Sequence, residues 1–270
     1  MELKGLGSVA PYCKNGKNCP GYLIKEKDEK ILLDCGNGIT NYLNMEEDLE
    51  NMTIILSHFH PDHYGDLSSI GEAIDLFFKF GFLDKKVKLY LPKVENSLVR
   101  HLGNMEFSVE KMKEEYERER RNQRYVENIA YHHFFDVEEY SRSTKLQIGD
   151  MTVRFYLTLH PADTYAVRIE SPTGRFVYSA DTCYDESLID FFQDADTLLC
   201  EASLLKGQAR TCDHLYAYEA AELASKSNVE QLLLTHFWPE IAKERYVEEA
   251  KNYFENTQAV EEGKVYKLSK

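Results

Sequence analysis

The stretch Ser57-His58-Phe59-His60-Pro61-Asp62-His63 places three imidazoles and a carboxylate within six positions. Imidazole nitrogen and carboxylate oxygen are the donors that zinc and similar divalent ions accept. Donors this close in sequence converge on an ion only where the backbone turns sharply. The apolar run Thr53-Ile54-Ile55-Leu56 before them, with Pro61 and Gly65 as breakers, predicts such a switch from strand to loop. With 9 histidines among 270 residues, chance assembles this spacing in roughly one such chain in a thousand or fewer.

Further donors stand at the ends of later β patterns. His160 follows Met151–Leu159, Asp181 follows the strand pattern from Arg175 to Ser179, and His236 follows Gln231–Thr235. Singly, a His or Asp at a strand end is commonly a cap or a satisfied polar residue. Together they suit a site gathered along one sheet edge. The opening segment reads as a ladder of strands and turns, Leu3–Leu6, Gly21–Ile24 and Lys30–Gly36. Ile39–Leu49 has helical spacing, Asp66–Phe80 is an amphipathic helix with Leu67, Ile70, Ile74 and Phe78 on one stripe, and Val87–Leu91 is a strand. From about Val94 to Tyr140 the composition is helical and densely charged, a helical insertion in which i,i+4 ion pairs suit a solvated surface. Its Arg118, Arg120, Arg121 and Arg124 also offer a grip on substrate phosphate if the insertion is a lid. His132 and His133 fit no ligand pattern and read as structural. Hairpins return from Thr144, then a strand at Asp196–Ala202 and a helix at Tyr216–Ser225.

The length fits one domain, 1–270, with a large core. The formal net charge of −14 disfavours an extended nucleic-acid surface, which needs clustered cations. A small anionic substrate stays open, because bound cations can invert the local field. No apolar stretch suits a signal peptide or a membrane span, so a cytoplasmic protein is expected. Six cysteines without a CxxC pair suit reduced thiols, with Cys13 and Cys19 as loop residues. Oligomeric state is left open, a dimer included.

His58-x-His60-x-Asp62-His63 resembles the HxHxDH signature of the metallo-β-lactamase fold, and His160, Asp181 and His236 follow in that family's order. The resemblance implies an α/β fold, a four-layered αββα sandwich, with two divalent ions, zinc or manganese. It implies that His58, His60 and His160 hold one ion, that Asp62, His63 and His236 hold the other, and that Asp181 bridges them. Two ions about 3.5–4 Å apart lower the pKa of a shared water and stabilise charge developing on the scissile group; Asp62 would also orient the attacking oxygen. The turn Leu33-Asp34-Cys35-Gly36 resembles the family's first strands, and Asp34 is expected to fix a ligating imidazole from behind.

Asp213-His214-Leu215-Tyr216 and the strand end Cys200-Glu201-Ala202 resemble the ribonuclease Z branch, in which a histidine precedes the helix before the last ligand. His214 would then protonate the leaving oxygen or bind a phosphate oxygen. Two departures matter. Leu215-Tyr216 replace the small polar residue that branch commonly shows, and only a short hairpin separates His160 from Asp181, where ribonuclease Z inserts its tRNA-gripping arm. The expectation is a phosphodiesterase for a small or cyclic phosphodiester. The alternatives are a carboxylic ester, lactone or thioester hydrolase, a tRNA 3′-end endonuclease, and a non-enzymatic scaffold, which would tolerate lost ligands although none is lost.

Overall fold

The computed structural model describes residues 1–94, 109–210 and 214–268. Its first half runs β1 (Glu2–Gly7), β2 (Gly21–Glu26), β3 (Glu29–Leu33), α1 (Met45–Asp48), β4 (Met52–Ile55), α2 (Pro61–Tyr64), α3 (Leu67–Lys79), β5 (Val87–Pro92), α4 (Val109–His132) and β6 (Phe135–Tyr140). The second continues with β7 (Lys145–Ile148), β8 (Met151–Leu157), β9 (Tyr165–Ser171), β10 (Gly174–Tyr178), α5 (Leu188–Phe192), β11 (Thr197–Glu201), α6 (Ala217–Lys226), β12 (Gln231–Thr235), α7 (Lys243–Lys251), β13 (Thr257–Ala259) and β14 (Val265–Lys267).

Two seven-stranded sheets result, ordered β14-β1-β2-β3-β4-β5-β6 and β13-β12-β11-β10-β9-β8-β7. In each, hairpin-linked strands pair antiparallel, and the strands that alternate with helices pair parallel: β3-β4-β5-β6 in one, β10-β11-β12-β13 in the other. Parallel strands covered on both faces need apolar residues at every position, and β4 and β11 are buried throughout.

The inner faces meet through Tyr22, Ile24 and Leu33 on one side and Phe155, Val167 and Phe176 on the other. Outside the first sheet, Leu32, Ile54 and Leu89 pack under Ile70 and Ile74 of α3 and Val126 and Ala130 of α4. Outside the second, Leu198, Leu232 and Leu234 pack under Phe192, Leu223 and Tyr246. This is the expected αββα sandwich. Among the described residues no helix is long and apolar enough to cross a membrane.

Two differences from the sequence reading have local causes. Ile39–Leu49 is not one helix but a 3₁₀ turn at Ile39–Asn41 followed by α1. The Asp48 carboxylate accepts from the Asn44 N–H at 2.9 Å and pairs with Lys25 at 2.5 Å, so the chain restarts at Asn44. The helical segment ends at His132, and Phe135–Tyr140 is the edge strand β6, parallel to β5; its exposed Asp136, Glu138 and Glu139 mask the buried Phe135 and Tyr140. The part of that segment at 95–108 lies outside the described residues. Cys13 and Cys19 are the expected loop thiols, Cys13 exposed and Cys19 buried; Cys212 also lies outside the described residues.

Candidate metal centre

The parallel strands set their C-terminal ends side by side at one edge of the sandwich, where open α/β sheets bind ligands. Asp34 follows β3, His58 follows β4, Asp181 follows β10, Glu201 ends β11 and His236 follows β12. The backbone is left-handed at Asp34 (φ 60°), Ala180 (φ 50°) and His236 (φ 61°). A non-glycine residue there carries strain of order 1 kcal/mol or more. Each such turn redirects the chain at the strand end, where donors are needed. Asp62 and His63 come from α2, which Pro61 starts at its first position.

All seven expected ligands converge. Nε2 of His58 and of His160 stand 3.7 and 3.8 Å from Asp181 Oδ2, and His160 Nε2 is 3.2 Å from His60 Nδ1. Asp181 Oδ1 is 3.4 Å from His63 Nε2 and 3.2 Å from His236 Nε2. Asp62 Oδ2 lies 3.5 Å from that same His236 nitrogen. Two donor groups therefore meet at one carboxylate, His58, His60 and His160 on one oxygen and Asp62, His63 and His236 near the other.

The outer ring atoms show how each imidazole is aimed. Asp34, fully buried, accepts from Ser57 N–H at 2.7 Å, Ser57 Oγ–H at 2.8 Å, Tyr178 O–H at 2.9 Å and His63 Nδ1–H at 2.8 Å. Because the Ser57 hydroxyl donates to Asp34, it accepts from His58 Nδ1–H at 3.0 Å. Ser203 Oγ accepts likewise from His236 Nδ1–H at 2.8 Å. In all three rings Nδ1 is the donor and Nε2 faces the cluster, which is the atom a ligating histidine presents.

The residues fit a metal. His58 Nε2 and Asp181 Oδ1 are buried with no protein hydrogen-bond partner, and such orphans at the centre of a polar cluster call for an ion. Burial and the neighbouring His63 and His60 push His58 far below the usual imidazole range, and burial brings His60 to about 4, so both stay neutral and able to ligate. Burial opposes ionisation of Asp62 and Asp181 too, but the surrounding histidines outweigh it and hold both carboxylates below their usual range.

Around this floor lies a cavity of about 370 Å³. His214 lines it, its ring 5.1 Å from that of His236 and 5.5 Å from that of His160. Glu201, buried, accepts from His214 Nδ1–H at 3.0 Å, from Thr182 N–H at 2.7 Å and from Ser203 Oγ–H at 3.1 Å. Asp213 lies outside the described residues.

Helix α4 reaches the ligand loops at three points. Arg118 Nη2 is 3.2 Å from His60 Nε2, Asn122 donates to the Phe59 carbonyl at 2.8 Å, and Glu119 accepts from Asp163 N–H at 2.8 Å. Of the arginines considered for gripping substrate, Arg118 alone is placed at a ligand; Arg120 lies over the Tyr116 ring and Arg124 donates to the Arg120 carbonyl. His133 packs on Gly71 and Glu72, away from the donors. Ser203, Tyr178, Glu119 and Asn122 were not legible beforehand, since nothing in their local sequence marks a polar residue that meets a ligand only after folding.

A family model described as "Anti-Pycsar protein Apyc1" matches residues 1–264. The probable metallo-hydrolase YhfI of Bacillus subtilis is 27% identical over 238 residues, covering 87% of this chain and 86% of its own. Its crystal structure, that of a metallo-β-lactamase fold protein, superposes with a TM-score of 0.79 at 23% identity over 98% of both chains. Ribonuclease Z of Clostridioides difficile is 28% identical over 304 aligned positions, covering 95% of this chain and 94% of the relative.

Proposed function

The chain belongs to the Anti-Pycsar protein Apyc1 family and is a metallo-hydrolase of the metallo-β-lactamase fold, and on that premise we propose that it cleaves a small or cyclic phosphodiester. His58, His60 and His160 would hold one divalent ion, zinc or manganese, Asp62, His63 and His236 a second, and Asp181 would bridge them. Such a pair would lower the pKa of a bound water and polarise the phosphoryl group. Around it, Asp34 and Ser203 keep the imidazoles in one tautomer, and Asp62 orients the incoming oxygen.

The observation that carries the reading is the His214–Glu201 pair beside the donor cluster. A carboxylate behind an imidazole raises its basicity and fixes its orientation, which suits a group that delivers a proton to a departing alkoxide. An acyl thioester, whose leaving thiolate is stable, has less use for it. The segment between His160 and Asp181 holds only the β9–β10 hairpin, with no arm to grip tRNA, and the charge of −14 agrees with a small substrate. The resemblance to ribonuclease Z supports shared phosphodiester chemistry rather than a shared substrate.

His214→Ala tests this. It is expected to keep metal content and fold while losing roughly two to four orders of magnitude in kcat on an alkyl phosphodiester. The loss should shrink on bis-p-nitrophenyl phosphate, whose leaving group needs little protonation. Equal loss on both would make His214 a phosphate-binding group. Robust turnover of a lactone or thioester by the wild type, with none of any phosphodiester, would replace the proposal with a carboxylic ester hydrolase.

A further inference from the structure

The cavity has a second half that the chemistry above does not use. Besides the donors and the residues Ser203 and His214, it is lined by Ala10, Pro11, Leu204, Gln208, Ala209 and Trp238. This side is apolar except for Gln208, whose Oε1 accepts from Leu205 N–H at 2.5 Å. Trp238 is the one tryptophan in the chain and is 42% exposed where it lines the cavity. A large ring left open in a pocket wall stands out, because indole surface of this size usually ends up covered.

Its position is fixed from outside the cavity. The indole lies beside the Tyr12 side chain. That hydroxyl donates to Glu240 Oε1 at 2.8 Å, and Lys14 pairs with the other Glu240 oxygen. Two loops distant in sequence, at Tyr12–Lys14 and Trp238–Glu240, are thus tied together beside the ring, which lines the cavity. Tyr246 of α7, fully buried on Phe237, supports the same turn. A braced, exposed aromatic in a wall with almost no hydrogen-bonding pattern is what stacking on a flat heterocycle needs, since every base offers a π face and little else in common. The cavity volume lies within the range of about 300–1,000 Å³ typical of small-molecule sites, with the donors at one end for the phosphate.

We propose that Trp238 is a nucleobase platform, holding the base of a nucleotide substrate by stacking while the phosphodiester lies over the metal-binding residues. This rests on the proposed phosphodiesterase reading. It assigns affinity to the stacked ring, and it implies tolerance of base identity, because Gln208 is the one polar side chain among the described residues of that wall.

The sole tryptophan allows a test without turnover. A 3′,5′-cyclic nucleotide made resistant to hydrolysis by phosphorothioate substitution is expected to quench the emission of Trp238, and the ribose 3′,5′-cyclic phosphate lacking a base is not. In kinetics, Trp238→Leu, which keeps bulk without a π system, should raise KM for the base-bearing substrate about 5- to 150-fold with little change in kcat. The penalty should fall mainly on that substrate, narrowing its KM advantage over the base-free one, and Trp238→Phe should restore most of it. Equal quenching by both ligands, or an unchanged KM ratio in Trp238→Leu, would overturn the platform. If the wild type cleaves neither phosphodiester, the proposed function fails while base-dependent quenching still judges the platform by itself.

Discussion

On the cavity floor, His58, His63 and His236 each have one ring nitrogen tied to a hydroxyl or carboxylate that is itself held by further groups. On the cavity's apolar wall, Trp238 lies beside Tyr12, whose hydroxyl donates to Glu240, and both of these residues are exposed. The floor is buried and over-determined, so a change in any member leaves another unpaired. The wall is open and held by few contacts, so its residues can change without endangering the fold. Reaction chemistry tolerates little error in position and belongs on the floor. Substrate selection tolerates more, and belongs on the wall.

Breaking the floor should cost most. Asp34→Ala would strand two Ser57 donors, the Tyr178 hydroxyl and the His63 Nδ1–H in a buried place. A loss of about 3–5 kcal/mol in unfolding free energy is expected, with metal affinity falling about 10- to 100-fold. Chemical denaturation and metal titration measure the two. A variant as stable as wild type would show that the floor is held by less than its hydrogen bonds suggest.

A smaller effect is expected between floor and wall. Glu201→Gln replaces an acceptor of several N–H and O–H bonds with a group that must donate from one side, loosening both His214 and Ser203. Activity should fall roughly 10- to 100-fold, less than in His214→Ala, and steady-state kinetics on one phosphodiester would rank the two.

The smallest concerns α4, whose docking carries a built-in cost. Burial raises Glu119 to about 7 from an ordinary 4.5; the Asp163 N–H and Arg118 lower it, and Asp163 and Glu115 add to the rise. A carboxyl whose folded pKa is raised favours the folded state only while protonated. Stability is therefore full below about pH 4.5, falls as pH rises towards 7, and stays reduced above it, by up to about 3 kcal/mol. Glu119→Gln keeps an acceptor for Asp163 N–H and should be more stable than wild type at pH 8 by about 1–2 kcal/mol, with no gain at pH 4. Melting curves at the two pH values would show it, and a variant less stable at pH 8 would mean that the charge itself docks the helix.

The sequence disclosed the floor because its donors are rare residue types bound to strand ends, and strand ends are marked by β-branched runs and breakers. His58, His160, Asp181 and His236 all carried that mark, and Asp34 carried it through its turn. Trp238 and Ser203 carried none. Their roles depend on which loops meet in space, and Tyr12 lies more than two hundred positions from Glu240. The charged helix misled at its end because Phe135–Tyr140 buries only its two terminal aromatics, on opposite faces, with acids between them. Beyond His236, the short strands β13 and β14 were too brief for any periodicity to register.

Those last two strands bear on how the molecule comes apart. β13 completes the edge of one sheet beside β12, and a few residues later β14 completes the edge of the other beside β1. Gly263 N–H bonds the Gly5 carbonyl at 2.8 Å within that crossing, and Val260 N–H bonds the Leu234 carbonyl at 2.9 Å. A single short segment is thereby sewn into both layers, so one sheet cannot open without pulling an edge from its neighbour. The sandwich should exchange its amide hydrogens as one cooperative unit rather than as two halves, and the donors, contributed by both sheets, are shielded from the independent breathing that would otherwise separate them.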